Sequence, residues 1–326
     1  MLVRKGEIMY QTISPVDIVP YDEQIVNGTL KATLERAQHL QNSSEDLRVF
    51  LARHLISEGR AEMAHYVTQC GTYLFFKKYN DVKNTITLER ANFCKHPMCP
   101  LCAWRRHLKY SRIIEKTLDI GNFKYLYHLV LGVPNSETLD KKTLMRLKER
   151  GATFVSQKLK CKGYISNLEV VAHGNGIHPH LHILIETEDF IKVSKEYILE
   201  MSNKWLKHYI KGLENKATLE QKYKGLTFYI QGLGKGNAKE ISQELTKYIV
   251  KGDFTNDDGQ YVSTIAKAIK GVRKMSSSGT FKTTMSEAKE SVSVESAERL
   301  AQLSKSRCEY LIYRFINGKF ERERLY

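Results

Sequence analysis

One stretch, HPHLHILIE at residues 178–186, constrains the fold more than any other part of the chain. Its histidines alternate with other residues, which is the pattern of a β-strand whose successive side chains point to opposite faces of a sheet. The even positions of 180–186 should therefore share one face, while the odd positions of 181–185 point into the core. A strand-like run, YISNLEVVA, precedes this stretch, and the intervening HGNGIHP predicts a turn between two antiparallel strands.

His180 and His182 would aim two imidazoles at one point of this face. Neutral imidazoles suit Mn²⁺, Co²⁺, Ni²⁺ or Zn²⁺, and a carboxylate as third ligand would leave open positions for a substrate oxygen. Glu169 is the preferred third ligand because it lies in the strand predicted to pair with the histidine strand. His178, placed in the turn, and Glu186, at the end of the strand, are the alternatives. Ordinary surface or core histidines are the competing interpretation.

Three of the six cysteines are crowded into CKHPMCPLC. In a reducing compartment such crowding favours a metal over disulfides. The C-x4-C-x2-C spacing can bring Cys94, Cys99 and Cys102 to one tetrahedral Zn²⁺. Cys70 is the natural fourth ligand, since a β-hairpin between it and Cys94 could carry it back beside the others, and His96 is the competitor. The alternative interpretation is a set of buried reduced thiols.

The charge of the chain indicates a polyanionic partner, with nucleic acid as the leading candidate. Lys and Arg number 51 against 36 Asp and Glu, so the formal net charge of the 326 residues is +15. No apolar run approaches the ~18 residues of a membrane helix, and the N-terminus lacks the apolar core of a signal peptide. We therefore expect a cytoplasmic protein with no membrane partner.

The hydrophobic pattern along the chain predicts an α+β protein. Helices are predicted within 28–69 and at 103–120, 141–159, 195–210 and 238–251. Strands are predicted at 73–76, 85–88, 125–133, 164–172, 180–185 and 226–231. Residues 284–305 indicate a surface helix or linker before the aromatic piece YLIYRFINGKF. The two basic helices, around 104–116 and 141–150, are expected to contact phosphates.

HPHLHILI, together with YISNLEVV, FCKHPMCPLCAWRR and ELTKYIVK, closely resembles the plasmid rolling-circle replication initiators of the HUH endonuclease superfamily, of the Gram-positive plasmid type. The resemblance runs in the family's order from about Cys70 to about Lys282. It implies that His180 and His182 bind a catalytic Mn²⁺ or Mg²⁺. It also implies that Tyr248, in a Tyr-x-x-Lys motif, is the nucleophile. One strand departs from the family, which usually has a structural FLTLT motif where this chain has HLVLG.

The helix that carries the tyrosine adds an independent argument. Glu244, Tyr248 and Lys251 are spaced i, i+4 and i+7, so on a helix they lie on one face. An ordinary helix with a half-buried tyrosine is the alternative, but with the upstream histidine pair the cluster predicts an active site. In the family, a glutamate at the position of Glu244 acts as the general base that activates water for a second cleavage.

The sequence thus predicts an α+β fold with a central antiparallel, RRM-like sheet flanked by helices. We expect a helical segment at 1–69, a Cys-rich zinc module at 70–118, a HUH endonuclease domain at 119–283 and a C-terminal extension at 284–326. The predicted function is origin-specific, metal-dependent DNA nicking and strand joining through a 5′-phosphotyrosyl link. The partners would be plasmid origin DNA, as a single-stranded or hairpin nick site with its adjacent duplex, and the host helicase and DNA polymerase. Homodimerisation is left open.

Other functional classes make distinct predictions. A HUH transposase or relaxase-like nuclease would share the site and differ in its DNA substrate. A noncatalytic zinc-containing nucleic-acid binder would keep the cysteines and lack cleavage. The segment also satisfies the first half of a cupin signature, G-x5-H-x-H-x3-E, but after Glu186 the chain is predicted to turn helical with no second cupin motif.

Overall fold

The computed structural model of the protein describes residues 11–12, 26–80, 85–173, 176–213, 226–233, 238–247 and 259–323. The chain forms two compact units, Met1–Lys109 with Ser291–Tyr326, and Tyr110–Glu290. The four segments defined from the sequence divide the chain by function and stay a prediction. Within the described ranges, no helix is both long enough and apolar enough to cross a membrane.

The first unit combines helices with a five-stranded antiparallel sheet. The helices α1 (Val26–Ser43), α2 (Glu45–Ser57) and α3 (Ala61–Thr68) confirm the helical periodicity seen within 28–69. The strands are β1 (Gln11–Thr12), β2 (Tyr73–Tyr79), β3 (Thr85–Ala91), β9 (Cys308–Ile316) and β10 (Lys319–Glu323), in the order β1-β3-β2-β9-β10. The hairpin predicted between Cys70 and Cys94 is therefore present as β2 and β3.

The aromatic C-terminal piece forms the hairpin of β9 and β10. Asn317 and Gly318 connect the two strands with φ angles of 49° and 82°. Positive φ at both central residues is the geometry for which Asn-Gly hairpin turns are favoured. β9 pairs along the whole of β2, with Ile312 opposite Phe75, so the end of the chain completes the sheet of the first unit.

The second unit is built on an antiparallel sheet in the order β7-β4-β6-β5-β8, flanked by helices, which confirms the predicted fold class. Its strands are β4 (Tyr125–Gly132), β5 (Cys161–His173), β6 (Gly176–Thr187), β7 (Phe228–Leu233) and β8 (Met275–Gly279). The helices that follow α3 are α4 (Pro100–Ile120), α5 (Lys141–Gln157), α6 (Lys195–Ile210), α7 (Ala238–Lys247), α8 (Gln260–Ile269) and α9 (Thr280–Ser304). The boundary between the two units falls within α4 and again within α9.

Both faces of the second sheet are buried, whereas the sequence predicted a core on one side of β6 only. On the face with Leu181, α5 approaches closely because it carries glycine there: a Cβ at Gly151 would lie 2.5 Å from Leu181 Cδ1. On the opposite face, an apolar cluster joins the sheet to α4, α7 and α9. Its buried members are Ile113, Ile114, Ile165, Leu184, Ile241, Leu245, Met275, Phe281 and Met285. The face of β6 that carries His180 and His182 is therefore covered by this apolar cluster at Leu184 and does not face solvent there.

The turn between β5 and β6 is tighter than predicted. β5 runs to His173 and β6 begins at Gly176, so His178 and Pro179 lie in the strand and not in the turn. The two strands are paired in register along their length, with Glu169 opposite His180. This pairing brings the site residues together.

Candidate functional site

Glu169, His180 and His182 form one compact group at the centre of the second sheet. Glu169 Oε2 lies 2.5 Å from His180 Nε2 and 3.0 Å from His182 Nε2. The side chains of Glu169 and His182 are 3% and 4% exposed, and that of His180 is 12% exposed. Burial acts to raise the pKa of Glu169, but hydrogen bonds from His180 and His182 outweigh it and lower the pKa below its usual value. His180 is thus the member of the group most open to an incoming ligand.

Several polar atoms around this group are buried and lack a hydrogen-bond partner among the described residues. They are Glu169 Oε1, His180 Nδ1, and both side-chain polar atoms of Asn167. Asn167 is 2% exposed and lies opposite His182 in the register of β5 and β6. Buried polar atoms are normally paired, so several unpaired atoms at one place fit the binding of an ion or a water molecule there. Two imidazoles and a carboxylate, with ligand atoms all within 4.8 Å of one another, fit a divalent ion with open positions.

His128, on β4, is a member of this site that the sequence did not single out. Its Nε2 lies 3.2 Å from Nδ1 of His182, and the two rings are stacked at an interplanar angle of 18°. His128 is buried, at 5% exposed. The two ring nitrogens of His182 therefore have different neighbours: Nε2 faces Glu169 and Nδ1 faces His128. The alternation of HLVLG put His128 on one face of β4, but only the pairing of β4 with β6 brings it to His182.

The two alternative third ligands lie outside the group. Both oxygens of Glu186 are engaged elsewhere, since Oε1 accepts from the Lys124 amide at 3.2 Å and Oε2 from the Thr280 hydroxyl at 2.8 Å. His178 is half-buried, and its ring centroid is 5.1 Å from that of His180. It packs against Gly132, where a Cβ would lie 3.0 Å from His178 Nε2. The glycine that breaks the FLTLT pattern thus makes room for His178.

The helix α7 covers the same face of the sheet as the group. Its residues Ile241 and Leu245 pack in the apolar cluster with Leu184, which lies two positions after His182 on β6. The described helix ends at Lys247, immediately before Tyr248. Tyr248 and Lys251 lie outside the described residues, as does the side chain of Glu244.

The four predicted cysteines form a second compact group, in the first unit. Cys70 Sγ lies 3.6 Å from Cys102 Sγ and 3.4 Å from Cys99 Sγ, and Cys94 Sγ lies 3.7 Å from Cys102 Sγ. A tetrahedral Zn²⁺ with Zn–S bonds of about 2.3 Å requires sulfurs about 3.8 Å apart, so the spacing fits zinc. The amides of Cys94 and Lys95 point at sulfurs of the group, at 3.3 and 3.2 Å.

His96, the competing fourth ligand, is not part of the cysteine group. Its Nδ1 accepts from the Met98 amide at 3.2 Å. Burial lowers the pKa of His96 to about 4, so the ring is neutral near pH 7. His96 therefore serves as a hydrogen-bond acceptor for the backbone amide of Met98.

One of the two basic helices has internal partners for its cations. On α5, Arg146 donates to the carbonyl oxygens of Tyr209 and Lys211, and Arg150 donates to that of Lys211. These carbonyls lie at the C-terminal end of α6, where cations are favourable. Lys148 donates to the Arg273 carbonyl. The cations of α5 thus stabilise the packing of this helix within the second unit, in addition to any contact that they make with a phosphate.

Comparison with known proteins identifies the family of the chain. Residues 85–316 match the family described as replication protein, a range that includes the histidine pair, three of the four cysteines and Tyr248. The chain belongs to this replication protein family. Curated relatives, each named Protein rep, include one from Lentilactobacillus hilgardii that is 29% identical over 243 residues, or 67% of this chain and 73% of its own length. One from Lactiplantibacillus plantarum is 25% identical over 286 residues, or 80% and 83% of the two chains.

A further Protein rep, from Staphylococcus aureus, is 23% identical over 254 residues, or 72% of this chain and 98% of its own length. No solved structure matches the chain. These comparisons confirm the resemblance to the replication initiators of Gram-positive plasmids. A replication initiator binds DNA at an origin, which agrees with the net charge of +15.

Proposed function

We propose that the protein starts rolling-circle replication of a plasmid in the cytoplasm, as a metal-dependent HUH endonuclease that nicks and rejoins DNA at its origin. One observation carries the proposal. Glu169, His180 and His182 converge on the sheet face covered by α7, the helix that leads to Tyr248. The same chain belongs to the replication protein family.

In this proposal, the three side chains on β5 and β6 hold a divalent ion, Mn²⁺ or Mg²⁺. Such an ion polarises the scissile phosphate and offsets the charge that develops on its oxygens. Glu169 supplies the carboxylate, and His180 and His182 supply neutral imidazole nitrogens. His182 needs the lone pair of Nε2 for the ion, so its ring proton is on Nδ1 and is donated to His128 Nε2. The hydrogen bond to His128 fixes the orientation of the His182 ring.

Tyr248 is proposed as the nucleophile. Its phenol oxygen attacks the phosphorus, the bond to the 3′ oxygen breaks, and the products are a 5′-phosphotyrosyl link and a free 3′-OH. An unperturbed phenol has a pKa near 10 and is mostly protonated at neutral pH, so the cation of Lys251 helps by favouring the phenolate. The host polymerase extends the 3′-OH while the host helicase separates the strands. The phosphotyrosyl link is the activated species from which strands are rejoined.

Glu244 is proposed as the general base for termination. One tyrosine that is already joined to DNA cannot attack a second time, so the last cleavage needs water. A carboxylate four residues before Tyr248 in the sequence can accept the proton of that water. The Cys70, Cys94, Cys99 and Cys102 group is proposed to hold a structural Zn²⁺ that contributes folding energy and takes no part in the chemistry.

A plasmid-relaxation assay tests the function. Supercoiled plasmid that carries the cognate origin is incubated with the protein and Mn²⁺ or Mg²⁺, and the same plasmid without the origin is the control. We expect open-circular product only with the origin and the ion, and none in EDTA. Equal nicking of both plasmids would indicate a nuclease with another DNA substrate, such as a transposase. Binding without nicking under every ion would indicate a noncatalytic nucleic-acid binder.

A further inference from the structure

A cavity of about 330 Å³ opens within the first unit, beside the cysteine group. Its walls come from α1, from β2 and β3, and from the first turns of α4. Phe76, Leu88, Trp104 and Leu108 give it apolar surfaces. We call it the Trp104 cavity. It lies at the small end of the roughly 300–1,000 Å³ range of ligand pockets, which suits a single flat group better than a segment of another protein.

The charged residues that line the Trp104 cavity, in the part of the chain that the structure describes, are all cations. They are Lys95, Arg105, Arg106 and Lys109. The loop and helix next to the cysteine group hold two of these cations in place. The Arg105 guanidinium lies 4.3 Å above the centre of the Phe93 ring, and Arg106 donates to the Pro97 carbonyl at 2.8 Å. These two arginines are therefore held in place beside the cavity by contacts with the loop that precedes α4.

Apolar walls and a cationic lining together define the kind of ligand. An inorganic anion would make no favourable contact with the aromatic and leucine side chains. A purely apolar ligand would not be attracted electrostatically by the four cations. A nucleotide in single-stranded DNA meets both, because its base has two apolar π faces and its phosphates are anionic. Aromatic side chains that stack on bases beside a positive surface are the usual means of binding single strands.

We infer that the Trp104 cavity receives one unpaired nucleobase of the origin DNA. The base stacks on Trp104, and the flanking phosphates lie on Lys95, Arg105 and Lys109. This site is separate from the Glu169 group and takes no part in cleavage. It would add affinity for the unpaired part of an origin hairpin. The inference rests on the proposed function only in taking origin DNA as the ligand.

The protein's own fluorescence can report this site. Its two tryptophans are Trp104 and Trp205, and Trp205 is fully buried in the second unit, where its Nε1 donates to the Gly132 carbonyl. A change in emission when a single strand binds will therefore come mainly from Trp104. The titration is done in EDTA with an origin oligonucleotide, so that no cleavage takes place. A set of otherwise identical oligonucleotides carries one abasic position each.

We expect the intact oligonucleotide to quench the emission and one abasic position to reduce both the quenching and the affinity by about 10-fold. Trp104→Ala should weaken binding of the intact strand by about 10-fold and make affinity insensitive to the abasic position, whereas Trp104→Phe should keep most of it. Lys109→Gln should weaken binding, and Lys305→Gln, which changes an exposed cation of the same unit outside the cavity, should not.

Two results would overturn the inference. If the intact strand binds without quenching, and every abasic oligonucleotide binds equally well, the protein binds the DNA backbone and no base enters the cavity. That outcome leaves nicking at the Glu169 group untouched. If no single strand binds at all in EDTA, the cavity does not receive a base of the origin strand and the inference fails, whereas the plasmid-relaxation assay with Mn²⁺ or Mg²⁺ decides separately on the proposed function.

Discussion

His182 shows how much of this site depends on single atoms. Nε2 and Nδ1 of its ring face two different neighbours, Glu169 at 3.0 Å and His128 at 3.2 Å. An imidazole can bind an ion through one nitrogen only if the other carries the proton, and that proton needs an acceptor when the ring is buried. His128 Nε2 is placed to be that acceptor. The usual partner of a ligating histidine is a carboxylate or a carbonyl oxygen, so in the proposed metal site a second imidazole would take that place.

Replacing His128 tests this arrangement. His128→Phe keeps a flat ring but removes the acceptor for His182 Nδ1, so the affinity for Mn²⁺ should fall by about 10-fold or more. His128→Asn, whose amide oxygen can accept, should recover part of the loss. Isothermal titration with Mn²⁺ measures both without DNA. If His128→Phe binds Mn²⁺ as tightly as the wild type while His180→Ala does not, the ring of His182 is oriented by other contacts.

His180 and His182 should each be essential for nicking. His180→Ala or His182→Ala leaves two protein ligands, which hold a divalent ion poorly, so origin nicking should fall below detection. EDTA should do the same to the wild type, and added Mn²⁺ should restore it. His178→Ala is the control, because His178 is not part of the group of ligand atoms and its loss should reduce nicking much less. Full activity of the wild type in EDTA would rule out the metal mechanism.

At the scale of elements, local features were predictable and distant pairings were not. The β5 and β6 hairpin follows from alternation and a glycine-rich turn. The structure brings Glu169 to the histidines, as this hairpin predicts, and its role as a metal ligand stays a prediction. The sequence predicts a longer turn than the structure has, because alternation alone does not show that β6 continues through Pro179. His128 and Asn167 were missed because their place in the site depends on registers between strands. β8 and the pairing of β9 with β2 have no local signal, since their partners are far away in the sequence.

The division of labour between Tyr248 and Glu244 can be tested by Glu244→Gln. The amide keeps the size of the side chain but cannot act as a base, so the first nick and the phosphotyrosyl adduct should form at near wild-type yield. Hydrolytic release after the second cut should fall by about 10²-fold, the usual contribution of a general base. A time course on a labelled single-stranded origin oligonucleotide follows both products.

Other outcomes for Glu244→Gln would change the assignment. Loss of adduct and release together would make Glu244 a partner of Tyr248 or of the ion. Unchanged release would move the termination base to another residue, with Glu240 as the nearest acidic candidate on the same helix.

At the scale of the whole molecule, the cysteine group ties distant parts of the first unit together. Cys70 follows α3, whereas Cys99 immediately precedes α4 and Cys102 lies in its first turn. The Cys70 carbonyl accepts from Gln41 of α1 at 2.7 Å, and the buried Arg48 of α2 donates to the Gln41 carbonyl at 2.9 Å. A metal at this group would therefore stabilise the packing of all these helices.

We expect purified protein to contain about one tightly held zinc ion per chain. Cys99→Ser should lose the zinc and lower the melting temperature, with nicking lost only as the fold is lost. Cys308→Ser, which changes an exposed cysteine outside the group, should alter neither. Elemental analysis and thermal unfolding measure the two effects. Absence of zinc from reduced, active protein would leave the group as buried thiols.

The central claim is that Tyr248 joins covalently to the origin strand at the site formed by Glu169, His180 and His182. The most direct test incubates the protein with a labelled single-stranded origin oligonucleotide and Mn²⁺, then separates covalent adduct from free DNA under denaturing conditions. The wild type should give an adduct. Tyr248→Phe should give none while it binds the oligonucleotide normally, and Tyr229→Phe, which changes an exposed tyrosine on β7, should behave as the wild type. An adduct of normal yield with Tyr248→Phe would contradict the account and move the nucleophile to another tyrosine, with Tyr229 and Tyr261 the first to examine.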